Sequence, residues 1–393
     1  MTRLPAQYCS INRILLLILG LWPYQQSKFT RFQFIFFYAI LSGGIIFQLT
    51  PLITLTCTSD LIIKVLSSVT FFAIFIIKYN AFCLNIGAVK KLLVKLQHIH
   101  NELKDENEIA IAEKYSCIAK RYTIVLTVVG ICSAFSIIIV QIWSNIVDVN
   151  LPMNASEPYY LIITEYFIDQ QKYFYLILLH INAVFCFGMV TMLGTGTMLI
   201  SYVEHACGML RIASYRIQHA INIDILQNIT LKNKTLMTES IICAVNIHRQ
   251  AMKLTKHLMS KFEIMVFCIT GCIIICFSLN LFKIFQIAAS KNNIKEFLLP
   301  FVYALTSFLY MFIANYIGQS IINHNNHIFV TAYNIQWYRA PLRVQRMILF
   351  LLQRRSKEFT LSVSGLYYGS IENFATLVKA SVSYFTVIYS THS

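Results

Sequence analysis

Long apolar runs alternate along this chain with shorter polar stretches, and seven of the runs are long enough to cross the ~30 Å hydrocarbon core of a bilayer as helices. They fall near residues 32–52, 61–82, 122–143, 173–200, 262–289, 297–322 and 366–388. A shorter run at 14–22 follows Arg3 and Arg13 in the manner of a secretory leader. No small-residue cleavage site follows it and it is too short to span, so it is expected to remain as an uncleaved segment near the inner interface.

The gaps carry patterns of their own. Residues 90–120 mix both signs of charge along an amphipathic repeat, and 201–261 keep helical periodicity with little Gly or Pro. The fourth and fifth membrane helices are therefore expected to continue well into the cytoplasm. After the sixth run comes a polar turn at Asn323, Asn325 and Asn326. Residues 339–357 then alternate arginines with Leu342, Val344, Met347, Ile348, Leu351 and Leu352, the pattern of a basic amphipathic helix suited to anionic lipid.

In the last run Thr376, Ala380, Ser383, Val387 and Ser390 recur at spacings of three or four, giving one narrow helix face of small, polar or β-branched residues. Phe374, Val378, Val382 and Phe385 occupy another. A small-residue stripe of this kind serves either as the wall of a conduction path, with Val387 a constriction that gates by dewetting, or as a seam for tight helix packing.

Composition fixes the solvent. With 57% hydrophobic and 12% charged residues, the chain is far too apolar for a soluble globular protein and belongs in a membrane. The formal net charge of +15 sits in the gaps rather than in a stripe interleaved with aromatics, so it reads as a topology signal and not as a nucleic-acid surface. Lysines and arginines crowd the N-terminal segment, the gap after the second run and the gap after the fourth, whereas the alternate gaps are nearly empty. The N-terminus is thus expected in the cytoplasm and, with seven crossings, the C-terminus outside. This fold class is all-α, a single seven-helix membrane domain over 1–393. The sequon at Asn154 then lies in an outer loop and is the expected glycosylation site, while those at Asn228 and Asn233 lie inside. Lys64 and Lys78 fall near helix ends, where their ammonium groups can snorkel.

Of eleven cysteines only Cys57 falls in an outer loop, so no structural disulfide is expected, and Cys268, Cys272 and Cys276 share a helix face as packing residues. No Gly-rich phosphate loop, metal-spaced His/Cys cluster or nucleophile elbow occurs, and no enzyme activity, cofactor or metal is expected.

Several stretches resemble the insect odorant receptor family, especially its hymenopteran branch: YVEHACGMLRIASYRIQHA at 202–220, HRQAMKL at 248–254, SLNLF at 278–282, ANYIGQ at 314–319, WYRAPLRVQ at 337–345, GLYYGSIENFA at 365–375 and SVSYFTVIYS at 381–390. The likeness covers nearly the whole chain in topology and the last quarter in specific motifs. Ser383-Tyr384 followed by Ser390-Thr391 departs from the related gustatory receptors, and the long inner insertion of the shared co-receptor is missing, which implies a tuning receptor. Asn323, Asn325 and Asn326 stand where relatives often carry an acidic residue and serines, so no charge role is carried over to that turn.

The resemblance implies an odorant-gated, non-selective cation channel in the plasma membrane of olfactory neuron dendrites. This chain would assemble with a co-receptor subunit as a hetero-oligomer, a tetramer, around one pore. It implies a pore lined by Ser383, Val387, Ser390 and Thr391, and an anchor between subunits at 339–357. It further implies a pocket for a small volatile or cuticular apolar ligand in the outer halves of the second, third, fourth and sixth helices. Those halves offer Phe72, Ser136, Ile139, Trp143, Ile177, His180, Tyr303 and Ser307, with His180 placed to hydrogen-bond a ligand oxygen or a neighbouring helix. A G-protein-coupled receptor would show an outer N-terminus and Asp-Arg-Tyr or Asn-Pro-x-x-Tyr signatures, which this sequence lacks.

Overall fold

A computed structural model describes residues 10–25, 27–149, 162–169, 172–221, 230–290, 294–353, 362–363 and 367–392. The elements are α1 (Ser10–Ile18), α2 (Lys28–Leu49), α3 (Pro51–Thr54), α4 (Ser59–Leu84), α5 (Ile86–Glu102), α6 (Glu106–Val149), α7 (Phe174–Ala220), α8 (Leu231–Ser290), α9 (Ile294–Asn334), a 3₁₀ turn (Trp337–Arg339), α10 (Leu342–Gln353), β1 (Ser362–Val363), β2 (Tyr367–Tyr368) and α11 (Ile371–His392). The protein is an all-α, multi-pass membrane protein with one two-residue antiparallel ladder, Ser362 opposite Tyr368 and Val363 opposite Tyr367.

Six of the described helices, α2, α4, α6, α7, α8 and α9, carry an apolar stretch long enough to cross a membrane. The expected seventh, near 366–388, begins later: Tyr367 and Tyr368 pair in the ladder, and the helix runs from Ile371 to His392 with Glu372 and Lys379 in it.

Local chemistry sets the boundaries. Ser27 accepts the amide hydrogen bond of Thr30 at 3.2 Å and Thr58 that of Leu61 at 3.3 Å, capping α2 and α4. Pro51 opens α3 and separates it from α2, since its nitrogen has no proton to continue the ladder. Between Leu231 and Ser290 no proline and only one glycine, Gly271, intervenes, and α8 runs for 60 residues. At a rise of ~1.5 Å per residue that is about 90 Å, three times the hydrocarbon thickness. Long extensions of the fourth and fifth membrane helices are thus present.

α7 is the central column, packed against α1, α2, α4, α6, α8 and α9. Close approach is built in at Gly188, where a Cβ would lie 2.1 Å from the Phe75 ring of α4. The main core runs the length of this column.

Two expectations change, and one gains a partner. The run at 14–22 packs on the bundle with one face: Leu16, Leu19, Leu21 and Trp22 are buried, while Ile14 and Ile18 stay exposed. Asn12 donates to Ser201 Oγ at 2.9 Å and accepts from Thr197 Oγ1 at 2.8 Å, while Tyr79 donates to the Leu19 carbonyl at 3.1 Å.

Lys78 does not snorkel. It is 1% exposed, with its ammonium 4.8 Å from the centre of the Tyr310 ring, because α4 turns that position into the bundle rather than toward lipid.

The polar stretch at 323–326 is no turn: α9 continues through it to Asn334. Neighbouring helices satisfy its side chains. His324 meets Tyr115 at 2.7 Å, buried Asn325 meets His248 at 2.9 Å, and Arg211 donates to His327 Nε2 at 2.8 Å. Of the expected helix at 339–357, the 3₁₀ turn and α10 are present, with Val344, Ile348 and Leu351 buried against α8 and α9 and Phe350 turned outward. The ten described cysteines are free thiols.

Candidate functional site

Two groups of expected residues come together in different places. The first is a buried aromatic and hydroxyl cluster among α4, α7 and α9. Phe71 stacks on Tyr303 with ring centres 4.3 Å apart and meets Phe72 edge-on at 5.8 Å. Ser68 and Tyr303 share a hydrogen at 3.4 Å. Tyr303 and Ser307 are four residues apart on one face of α9, and the buried Ser307 hydroxyl makes no hydrogen bond. α7 borders the cluster where Gly188 lies against Phe75, whose ring meets Phe71 and Phe72 at 5.4 Å, whereas Ile177 is buried at the start of α7 in the extended main core. Phe72, Tyr303 and Ser307 are each at most 2% exposed, so this is an apolar cluster with a few polar handles, closed by its own side chains.

The other expected ligand residues do not join it as a group. Ser136 and Ile139 are exposed on α6, with the Ser136 hydroxyl folded back to the Cys132 carbonyl at 2.8 Å. Trp143 belongs to α6, but its side chain lies outside the described part, as does all of Asn154.

His180 is half-buried at the end of α7. Its Nδ1 lies 2.7 Å from the Tyr166 hydroxyl, which belongs to the segment 162–169 rather than to a neighbouring helix. That segment is fastened to α2. Phe47 stacks on Tyr166 at 4.3 Å, the Glu165 amide donates to the Phe47 carbonyl at 3.0 Å, and Thr50 Oγ1 donates to the Glu165 carbonyl at 2.7 Å. Nothing in the local sequence announces this strap, because an irregular segment carries no periodicity to read.

The second group is the exposed face of α11. Ser383, Val387, Ser390 and Thr391 all point away from the core, and Val387 is 57% exposed. Ser390 and Thr391 return their hydroxyls to the Val387 carbonyl at 2.9 and 3.2 Å, which leaves carbon outward. The opposite face packs on α8 and α9: Ser278 donates to the Ser381 carbonyl at 2.9 Å and Phe285 meets Phe385 at 4.9 Å. At the start of α11, Asn315 Oδ1 accepts from the Ser370 amide at 3.3 Å and Gln319 Oε1 from the Ile371 amide at 3.3 Å. α9 thereby caps donors that the first turn of α11 leaves open. The ANYIGQ motif holds both capping residues, so the signal was in the sequence without its meaning.

Two further cavities lie at the other end of the bundle. One of 40 Å³ is lined by His100, Tyr115 and His205 among others, and one of 290 Å³ by Glu102, Arg216, Asn246 and Gln250 among others. Neither is lined by any expected ligand residue. Burial holds His100 below the usual imidazole range, with Glu113 pulling it back up.

The model of the family described as 7tm Odorant receptor matches residues 58–382, most of the chain and all of the first group, and stops just before Ser383, Val387, Ser390 and Thr391. The chain belongs to the insect odorant receptor family. The receptor is therefore not an enzyme. Odorant receptor 92a of Drosophila melanogaster is 23% identical over 147 residues, which cover 37% of this receptor and 34% of that relative. The olfactory receptor OR5 from Machilis hrabei, solved in complex with eugenol, has a similar fold: TM-score 0.78 at 13% identity, covering 98% of each chain. A second structure of OR5 gives a TM-score of 0.75 at 12% identity with the same coverage.

Proposed function

We propose that the receptor is the odorant-binding tuning subunit of a ligand-gated, non-selective cation channel, of the hymenopteran type. It acts with a shared co-receptor in a hetero-oligomer, a tetramer, in the plasma membrane of olfactory neuron dendrites. The observation that carries this reading is the two-sidedness of α11. One face is held by α8 and α9, while Ser383, Val387, Ser390 and Thr391 face away from the subunit. Such a stripe of small and apolar surface around Val387 suits the hydrophobic constriction of a shared pore, which gates by dewetting.

In this reading α11 is the seventh crossing, the N-terminus is inside and the C-terminus outside, and Asn154 is glycosylated in an outer loop. Phe72, Tyr303 and Ser307 form the floor of an odorant pocket, with Ile177 and His180 nearer its rim. The bound eugenol of OR5 supports a small, largely apolar ligand of this kind. The channel opens when a ligand contacts the open state better than the closed one, and α8 and α9 pass that preference to α11. The basic helix α10 joins the subunits on the inner side.

The test is current recorded from cells expressing the chain with a co-receptor, under a mixture of volatile aromatic and straight-chain alcohols, aldehydes and esters that includes eugenol. Evoked cation current that persists when G-protein signalling is blocked is expected. Current that vanishes with the block would instead favour a G-protein-coupled receptor.

A further inference from the structure

Asp60 opens α4 and Lys283 lies two turns before the end of α8, at the same end of the bundle. The Lys283 ammonium donates to Asp60 Oδ1 and, at 2.9 Å, to Gln286 Oε1; Lys64 reaches Asp60 Oδ2 at 3.0 Å. The Lys283 side chain is 5% exposed against 43% for Asp60, so the buried partner depends on this carboxylate while the carboxylate keeps contact with solvent.

What surrounds the pair gives it a role. Ile63 of α4 with Leu279 and Phe282 of α8 forms a small apolar cluster separate from the main core, and Phe385 and Ile388 of α11 rest on it. Phe285, one half-turn beyond Lys283, also meets Phe385. Val387 lies between the two seated residues. The helix that carries Asp60 also carries Phe72, about 18 Å farther along at ~1.5 Å per residue. One ion pair thus ties the helix of the candidate pocket to the helix on which the candidate gate leans.

We propose that Asp60 and Lys283 are a positioning pair for the gate: their contact fixes the Ile63, Leu279 and Phe282 seat that sets where the last turns of α11 stand. The proposal rests on the channel reading above. Losing either partner leaves the apolar contacts in place but frees α4 to slide against α8, so the balance between closed and open seats shifts.

The experiment uses the full chain with co-receptor, the same odorant mixture, and surface labelling as a measure of folding. Asp60→Asn and Lys283→Met are expected to change ligand-free current at least threefold and to shift the half-maximal concentration about tenfold at near-normal surface level. The exchange of both, Asp60→Lys with Lys283→Asp, is expected to bring both readings back toward wild type. Lys64→Met, which removes an exposed contact, should leave them unchanged. Wild-type gating in both single variants would overturn the proposal, as would failure of the exchange to restore gating while surface level is normal. If Asp60→Asn does not reach the surface, Asp60→Glu decides: it keeps the charge one methylene farther out, and an unaltered ligand-free current overturns the proposal. A wild-type chain that passes no current refutes the channel reading, and the pair's role in gating falls with it.

Discussion

The Tyr166 hydroxyl stands 2.7 Å from Nδ1 of His180, joining the 162–169 strap to the end of α7. With Nδ1 engaged, only Nε2, which faces Gly43, is left for a ligand. A neutral hydrogen bond of this kind contributes about 1 kcal/mol. Tyr166→Phe is therefore expected to shift the half-maximal odorant concentration about fivefold with surface level unchanged, read from dose–response curves. An unchanged curve would separate the strap from ligand access.

Gly318 of α9 lies against the turn that precedes α11: a Cβ there would sit 2.4 Å from the Gly369 carbonyl oxygen, which belongs to backbone and has little room to give. Gly271 meets nothing within 4 Å. Gly318→Ala should sharply reduce the monodisperse protein recovered in detergent. Gly271→Ala should leave recovery equal or slightly raised, since alanine favours a helix by about 1 kcal/mol over glycine.

Arg216 of α7 grips Glu108 of α6 through Nε and Nη2 of its guanidinium, at 2.6 and 2.7 Å. The Glu108 side chain is 8% exposed and that of Arg216 21%, so water can only partly replace the lost partner. Glu108→Gln should cost about 2 kcal/mol, less than a fully buried pair would. The check is a lower midpoint of thermal aggregation in detergent, with Lys64→Met, which removes an exposed pair, nearly silent.

If α11 lines the pore, a cysteine at Val387 should react with a small water-soluble thiol reagent and block current, faster in odorant than without it. A cysteine at Ser381, which is fully buried against α8, should not react. Equal silence at both positions would remove Val387 from the conduction path.

Much of the fold was legible because a bilayer tolerates few solutions: each crossing needs about 20 apolar residues with every backbone group satisfied internally. The scarcity of Gly and Pro across 201–261 likewise foretold the long α7 and α8. The pocket was less legible. Phe72, Tyr303 and Ser307 share one buried region, but Ser136 and Ile139 face outward, since a helix apolar on all sides does not reveal which side meets protein and which meets lipid.

The sequence by itself determined that this protein lives in a membrane, where most of its crossings fall, and that α11 has a small-residue face distinct from an aromatic one. Only the tertiary structure decided that Lys78 turns inward, that Leu16 and Leu19 bury in the bundle, and that α9 runs unbroken through Asn323 to His327. The reason is the same in each case. A polar side chain in or near a membrane helix is tolerated when another helix supplies its partner, and His248, Tyr115 and Arg211 come from positions far away in the chain. Hydropathy is a property of each segment alone, whereas satisfaction of a polar group is a property of the pair.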